Sequence, residues 1–242
     1  MNVLGVIPAR YQSTRLPGKP LLMIGSKPMI QWVYEAAKTA TLIDELVVAT
    51  DDQRICDVVT GFGGKAELTS AEHPTGTDRL AEVARGYQTE LVINIQGDEP
   101  LIRGEVIDSI IKPLLENKDL PMSTAKVRLT DPKQINEASV VKVVTAENGD
   151  ALYFSRAPIP YPRKSEGLVY WKHIGLYGYR KDFLLKYLDL PQSSLELAES
   201  LEQLRVLANG YRIRVVEVEQ DSVGVDTPAD LERVRALLAV SF

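Results

Sequence analysis

Apolar, β-branched runs recur along the chain at "VLGVI" (3–7), "ELVVAT" (45–50), "KAELT" (65–69), "LVINIQ" (91–96), "STAKVRL" (123–129) and "VVKVVT" (140–145). Runs this apolar suit strands covered on both faces. Between them, "PMIQWVYEAAKTA" (28–40), "DQRICDVVTGF" (52–62), "TDRLAEVARGY" (77–87) and "GEVIDSIIKPLLEN" (104–117) repeat apolar residues at helical spacing. Strand and helix alternating in short units predict an α/β fold with crossovers and a mostly parallel, Rossmann-like twisted sheet in a three-layer domain.

The pattern loosens in the second half. "ALYFSRAPIPYPRKSEGL" (151–168) is rich in Pro and basic residues and reads as an excursion from the sheet, before "WKHIGLYGYR" (171–180) returns as a strand. "LEQLRV" (201–206) is amphipathic, with Leu201, Leu204 and Val206 as core positions, and "YRIRVVEVE" (211–219) predicts a last strand. The helix over 227–239 opens on a capping pattern, with Thr227 as cap, Pro228 first and Asp230 third. We expect one domain over 1–242, with about 151–210 as a small α/β excursion.

Composition narrows the function classes. A net charge of −5 gives no global steering toward nucleic acid. The lone Cys56 excludes an intramolecular disulfide framework, and two histidines, His73 and His173, make no zinc pattern. No apolar run approaches the roughly 18 residues of a membrane span, and no signal-peptide pattern opens the chain, so a cytoplasmic protein without membrane or nucleic-acid partners is expected.

Against that acidic background, "VIPARYQSTRLPGKPL" (6–21) places Arg10, Arg15 and Lys19 in one loop after a buried strand. Cations held so close repel unless an anion sits among them. A guanidinium fork and an ammonium suit phosphate oxygens, Ser13 and Thr14 add hydroxyls, and Gly18 leaves backbone N–H groups approachable. A basic loop paired with surface carboxylates is the plainer alternative. Neither the phosphate-loop nor the dinucleotide-binding glycine pattern is present.

In open α/β sheets ligands collect beyond the C-terminal ends of strands. "QGDEP" (96–100) and "GVDTP" (224–228) supply Asp98 and Asp226 at such positions, fit to share Mg²⁺ or merely to shape a turn and cap a helix. In "HPTGTDRL" (73–80), Gly76 at a helix start offers backbone donors to a ligand, or Thr77 simply caps the helix. His173 reads, by itself, as a satisfied strand residue.

Taken together, "VIPARYQSTRLPGKPL", "VATDD", "TGTDRLAEV", "VINIQGDEP", "VVKVV", "ALYFSRAPIP", "HIGLYGYR", "LEQLRVL" and "GVDTPADLERV" resemble the 3-deoxy-manno-octulosonate (Kdo) cytidylyltransferases, in order and over nearly the whole chain. The resemblance implies a nucleotide-diphospho-sugar transferase type of fold. It also implies a reaction in which CTP and Kdo give CMP-Kdo and pyrophosphate, for lipopolysaccharide synthesis. It implies a catalytic set of Arg10, Lys19, Asp98 and Asp226, with the two aspartates holding Mg²⁺. Ala9, Arg10, Ser13, Arg15, Lys19, Thr75, Gly76, Thr77 and Gln96 fall at nucleotide-binding positions, and Arg79, Arg156, His173, Tyr177, Glu202 and Gln203 at sugar-binding ones.

By resemblance the enzyme is a homodimer. Departures from the family pattern are Asp78, where Glu is common, and a short 162–171 segment. Competing expectations are a cytidylyltransferase for 8-amino-Kdo or a sialic acid, a nucleotide-sugar glycosyltransferase, and a nucleotide-binding module without turnover.

Overall fold

The computed structural model describes residues 2–12, 16–164 and 166–239. The chain forms two compact units, 1–108 with 222–242, and 109–221. The first opens on strand β1 (Val3–Ala9), followed by the short hairpin β2 (Met23–Ile24) and β3 (Lys27–Pro28) and by helix α1 (Met29–Ala37). It continues through β4 (Glu45–Thr50), α2 (Gln53–Gly61), β5 (Ala66–Leu68), α3 (Gly76–Arg85) and β6 (Leu91–Asn94). The strands lie in the order β6-β1-β4-β5, all parallel, with Leu4 beside Glu45 on one side and Val92 on the other.

The reason is legible in burial. Every residue of β6, and all of β1 but Pro8, is buried, while α1 turns Met29, Ile30, Val33, Tyr34 and Ala37 inward. Helix α4 (Gly104–Glu116) carries the chain onward from the first unit. Its first residue must be glycine, because a Cβ there would lie 2.4 Å from the Ala40 nitrogen. One turn later the buried Asp108 carboxylate accepts the N–H groups of Thr41 (2.9 Å) and Leu42 (3.0 Å) and the Thr41 hydroxyl.

The second unit contains β7 (Met122–Arg128), α5 (Pro132–Asn136), β8 (Lys142–Thr145), β9 (Ala151–Ser155) and β10 (Trp171–Arg180). Helices α6 (Lys181–Tyr187), α7 (Ser194–Glu199) and α8 (Gln203–Ala208) and strand β11 (Ile213–Val218) complete it. β11 pairs parallel with β7, but β10 runs antiparallel to β7 and β8, and β9 antiparallel to β8. The α/β class with mostly parallel pairing is as expected. The segment at 151–155 is not an excursion from the sheet but strand β9, held by its buried Phe154 and Ser155 and by pairing with β8. Leu201, Leu204 and Val206 are core residues, as their spacing predicts.

The chain then returns to the first unit with α9 (Pro228–Ala239), capped at Thr227. The Asp230 N–H donates to the Thr227 hydroxyl (3.2 Å), and the Thr227 N–H to the Asp230 carboxylate (2.8 Å). Leu231 and Val234 pack with Ile24, Met29 and Val225 in one buried cluster. Among the described residues no helix is long and apolar enough to cross a membrane.

Candidate nucleotide-binding site

Beyond the ends of β1 and β6 the first unit encloses a cavity of about 400 Å³, lined among others by Ala9, Arg10, Gln12, Lys19, Gly76, Gln96, Asp98 and Asp226. Seven sequence-expected residues, Ala9, Arg10, Lys19, Gly76, Gln96, Asp98 and Asp226, therefore share one space. Ser13 and Arg15 lie outside the described residues. Gln12 is a lining residue that sequence reasoning missed, since an uncharged amide in a cationic loop carries no signal of its own.

Local geometry explains how each side chain arrives. Gly18 adopts the left-handed region (φ 67°), which lets its N–H donate to the Tyr11 carbonyl at 2.9 Å and reverses the loop. A 3₁₀ turn, Lys19–Leu21, follows and presents the lysine. Its Nζ donates to Asp98 Oδ2 at 2.6 Å and to the Val225 carbonyl at 2.9 Å, and lies 3.4 Å from Asp226 Oδ1. The Val225 N–H in turn donates to the Asp98 carbonyl at 2.9 Å, so backbone as well as charge ties the two aspartate segments together. Gly97 lets the segment leading to Asp98 lie against the end of β1: a Cβ there would stand 2.6 Å from the Pro8 carbonyl oxygen.

Helix α3 points its start at the same cavity. Its cap is Thr75, not Thr77: the Thr75 hydroxyl accepts the Asp78 N–H (3.3 Å) while the Asp78 carboxylate accepts from the Thr75 N–H (3.2 Å) and hydroxyl. Thr77 is buried. With Gly76 bare at the cavity wall, the helix turns N–H groups and the positive end of its dipole toward an anion.

The Lys19 ammonium between Asp98 and Asp226 tests what those carboxylates can hold, because it is a cation occupying their shared side. Among the described residues no cluster of three or more His, Cys, Asp or Glu forms a closed metal cage. Two carboxylates with room beside them suit an ion that completes its shell from phosphate and water, as Mg²⁺ does.

Arg79 is fully buried in the first unit. Its guanidinium pairs with Asp51 (3.0 Å) and contacts the Thr69 hydroxyl, while its Nε and Asp51 Oδ1 are buried without hydrogen-bond partners. Burial pulls its pKa below the ordinary value, the Asp51 charge opposes this, and the nearby Arg10 charge adds to the depression.

The other sugar-expected residues belong to the second unit. His173 and Tyr177 share β10, with ring centroids 5.4 Å apart. His173 Nε2 lies 2.9 Å from the Thr124 hydroxyl, and burial with the Lys172 charge pulls its pKa down to about 3. Arg156 follows β9, its guanidinium on backbone carbonyls. Glu202 precedes α8, and Gln203 is buried with its Nε2 lacking a hydrogen-bond partner.

Residues 4–213 match the family model described as cytidylyltransferase. The chain is 55% identical to the 3-deoxy-manno-octulosonate cytidylyltransferase of Syntrophotalea carbinolica over 98% of this chain and 99% of that one. It is 53% identical to the enzyme of that name from Solibacter usitatus, over 100% and 96%. A solved structure of CMP:2-keto-3-deoxy-manno-octonic acid synthetase complexed with CTP superposes with a TM-score of 0.97 at 49% identity, covering 100% of both chains. A cytidylyltransferase from Leptospira borgpetersenii, 18% identical with a TM-score of 0.65 over 99% and 87%, shares the fold. The chain belongs to the cytidylyltransferase family, among the 3-deoxy-manno-octulosonate cytidylyltransferases.

Proposed function

We propose that the chain transfers CMP from CTP to the anomeric hydroxyl of Kdo, with Mg²⁺ held by Asp98 and Asp226. The observation that carries this reading is the single cavity joining Arg10 and Lys19 to that carboxylate pair. The anomeric hydroxyl loses its proton to water as its oxygen bonds to the α-phosphorus, the α–β phosphoanhydride bond breaks, and pyrophosphate leaves. No covalent enzyme intermediate is needed. Arg10 and Lys19 offset charge growing on the transferred and leaving phosphates, and the α3 start receives phosphate oxygens. Mg²⁺ held by Asp98 and Asp226 would neutralise phosphate charge and lower the pKa of the attacking hydroxyl. The second-unit residues Arg156, His173, Tyr177, Glu202 and Gln203 recognise the sugar acid, a guanidinium being the natural partner of its carboxylate, whereas Arg79, fully buried against Asp51, presents no surface to it.

The reading extends to the enzyme's setting. Water-soluble substrates, CTP and a sugar acid, support a cytoplasmic setting, with the product serving lipopolysaccharide synthesis. A homodimer is supported by exposed apolar residues of the second unit, Leu152, Tyr161, Leu195 and Leu197. Sedimentation at micromolar concentration showing only monomer rejects it.

The deciding experiment measures pyrophosphate release from CTP with Mg²⁺, with and without Kdo, beside ATP, GTP and UTP and an EDTA control. Release requiring CTP, Kdo and metal is expected. Release with 8-amino-Kdo or a sialic acid but not Kdo changes the substrate, and silence with every sugar overturns the reading. An Asp98→Asn variant with near-wild-type turnover removes the metal assignment.

A further inference from the structure

Lys142 interrupts the apolar strand "VVKVV" and is fully buried. Burying an ammonium is costly unless its donors are satisfied. Here Nζ donates to three backbone carbonyls, those of Glu137 (2.9 Å), Val140 (2.5 Å) and Arg156 (2.5 Å). An apolar side chain would fill the strand without that cost, so the lysine is explained by what it ties together.

Those ties close a ring. Lys142 holds the Arg156 backbone directly, and it also holds the 137–140 turn, whose Ala138 carbonyl accepts from Arg156 Nη1 at 3.0 Å. Arg156 reaches on to the end of α7, donating from Nε to the Glu199 carbonyl (2.7 Å) and from Nη2 to that of Ser200 (3.4 Å). The Glu199 carboxylate answers by accepting the Arg156 N–H at 2.9 Å and the Ser155 hydroxyl. Ser200 sits in the left-handed region (φ 51°), a strained conformation for a residue with a Cβ, immediately before Leu201, Glu202 and Gln203.

We propose that Lys142 is a positioning residue for acid-sugar recognition: its three-carbonyl anchor fixes Arg156, and Arg156 fixes the turn that presents Glu202 and Gln203. This rests on the reading that Arg156, Glu202 and Gln203 meet the sugar. Lys142 itself touches no substrate.

The test compares Lys142→Met, Lys142→Gln and Arg156→Gln in steady-state kinetics with CTP and Kdo. Lys142→Met raises the KM for Kdo about tenfold or more, with the KM for CTP and the kcat at saturating Kdo within about threefold of wild type. Lys142→Gln, which keeps an N–H donor, recovers part of the loss. Equal damage to both KM values, or a loss confined to kcat, overturns the inference. An unchanged Kdo KM in Arg156→Gln removes the sugar-site reading beneath it, whereas a raised value there with Lys142→Met unaffected removes the Lys142 role alone. If neither lysine variant folds, hydrogen exchange of the wild-type chain decides: saturating Kdo slows exchange about fivefold or more across 137–141 and 199–203, and no change there overturns the proposal.

Discussion

Lys19 and Asp98 stand 79 positions apart in sequence and meet at 2.6 Å, the ammonium of one against Oδ2 of the other. The same ammonium reaches Asp226, so one lysine of the loop after β1 balances both carboxylates. A chain poised this way keeps the two aspartates close without ligand. Replacing Lys19 by Met removes that balance and, on the proposed function, a donor to the leaving phosphates together. Turnover at saturating substrates is expected to fall about 10²–10³-fold, the scale for losing one preorganised charge-stabilising donor. Steady-state pyrophosphate release measures it, and a fall under fivefold removes Lys19 from the catalytic set.

Gly97 gives a structural counterpart. Its Cβ would lie 2.6 Å from the Pro8 carbonyl oxygen, a backbone atom that cannot swing aside. Gly97→Ala should push the two strand ends apart, lowering stability by about 1–3 kcal/mol and weakening CTP binding. Urea unfolding and CTP titration calorimetry read the two effects separately.

His173 supplies a pH dependence with a definite sign. Folding holds its pKa at about 3, against 6.5 ordinarily. Between those values the unfolded chain binds a proton that the folded chain does not, so the contribution is present above pH 6.5 and is lost as pH falls toward 3. The slope is at most about 1.4 kcal/mol per pH unit. Denaturant unfolding from pH 7 to 4.5 should show a shallower loss in His173→Gln than in wild type, and parallel curves would contradict the assignment.

Breaking the Asp51 pair tests the cost of a buried charge. Arg79 is fully buried, its Nε already lacks a partner, and Asp51 is its one ion-pair partner among the described residues. Asp51→Ala is expected to destabilise the chain by about 3–5 kcal/mol, and Asp51→Asn, which keeps an acceptor, by less. Chemical denaturation of the two variants orders them, and equal losses would show that the charge is not what matters.

How much of this could be read from sequence depends on the range of the interaction. The strand at 45–50 has the bounds its apolar run predicts, and the strand at 171–180 those its aromatic and polar alternation predicts, because burial repeats along the element itself. The convergence of Arg10, Lys19, Asp98 and Asp226 was legible from strand-end position and charge. That Lys19 would lie against the aspartates was not, since it depends on Gly18 turning the loop and on Gly97 admitting a neighbouring backbone. Strand β9 was hidden by the prolines that follow it, and the Thr75 cap by Thr77, an equally suitable residue two positions on. The anchoring of Arg156 by Lys142 left no periodic trace, because its acceptors are main-chain carbonyls.

The first unit is made of two pieces of chain, with residues 109–221 between them. Asp98 and Asp226 therefore leave the ribosome far apart in time, and the whole second unit is synthesised before the second carboxylate exists. Until then Lys19 can meet Asp98 but neither Asp226 nor the Val225 carbonyl. Assembly of the carboxylate pair thus marks completion: Lys19 gains its contacts to the Val225 carbonyl and to Asp226 only in molecules whose late segment has joined the early one.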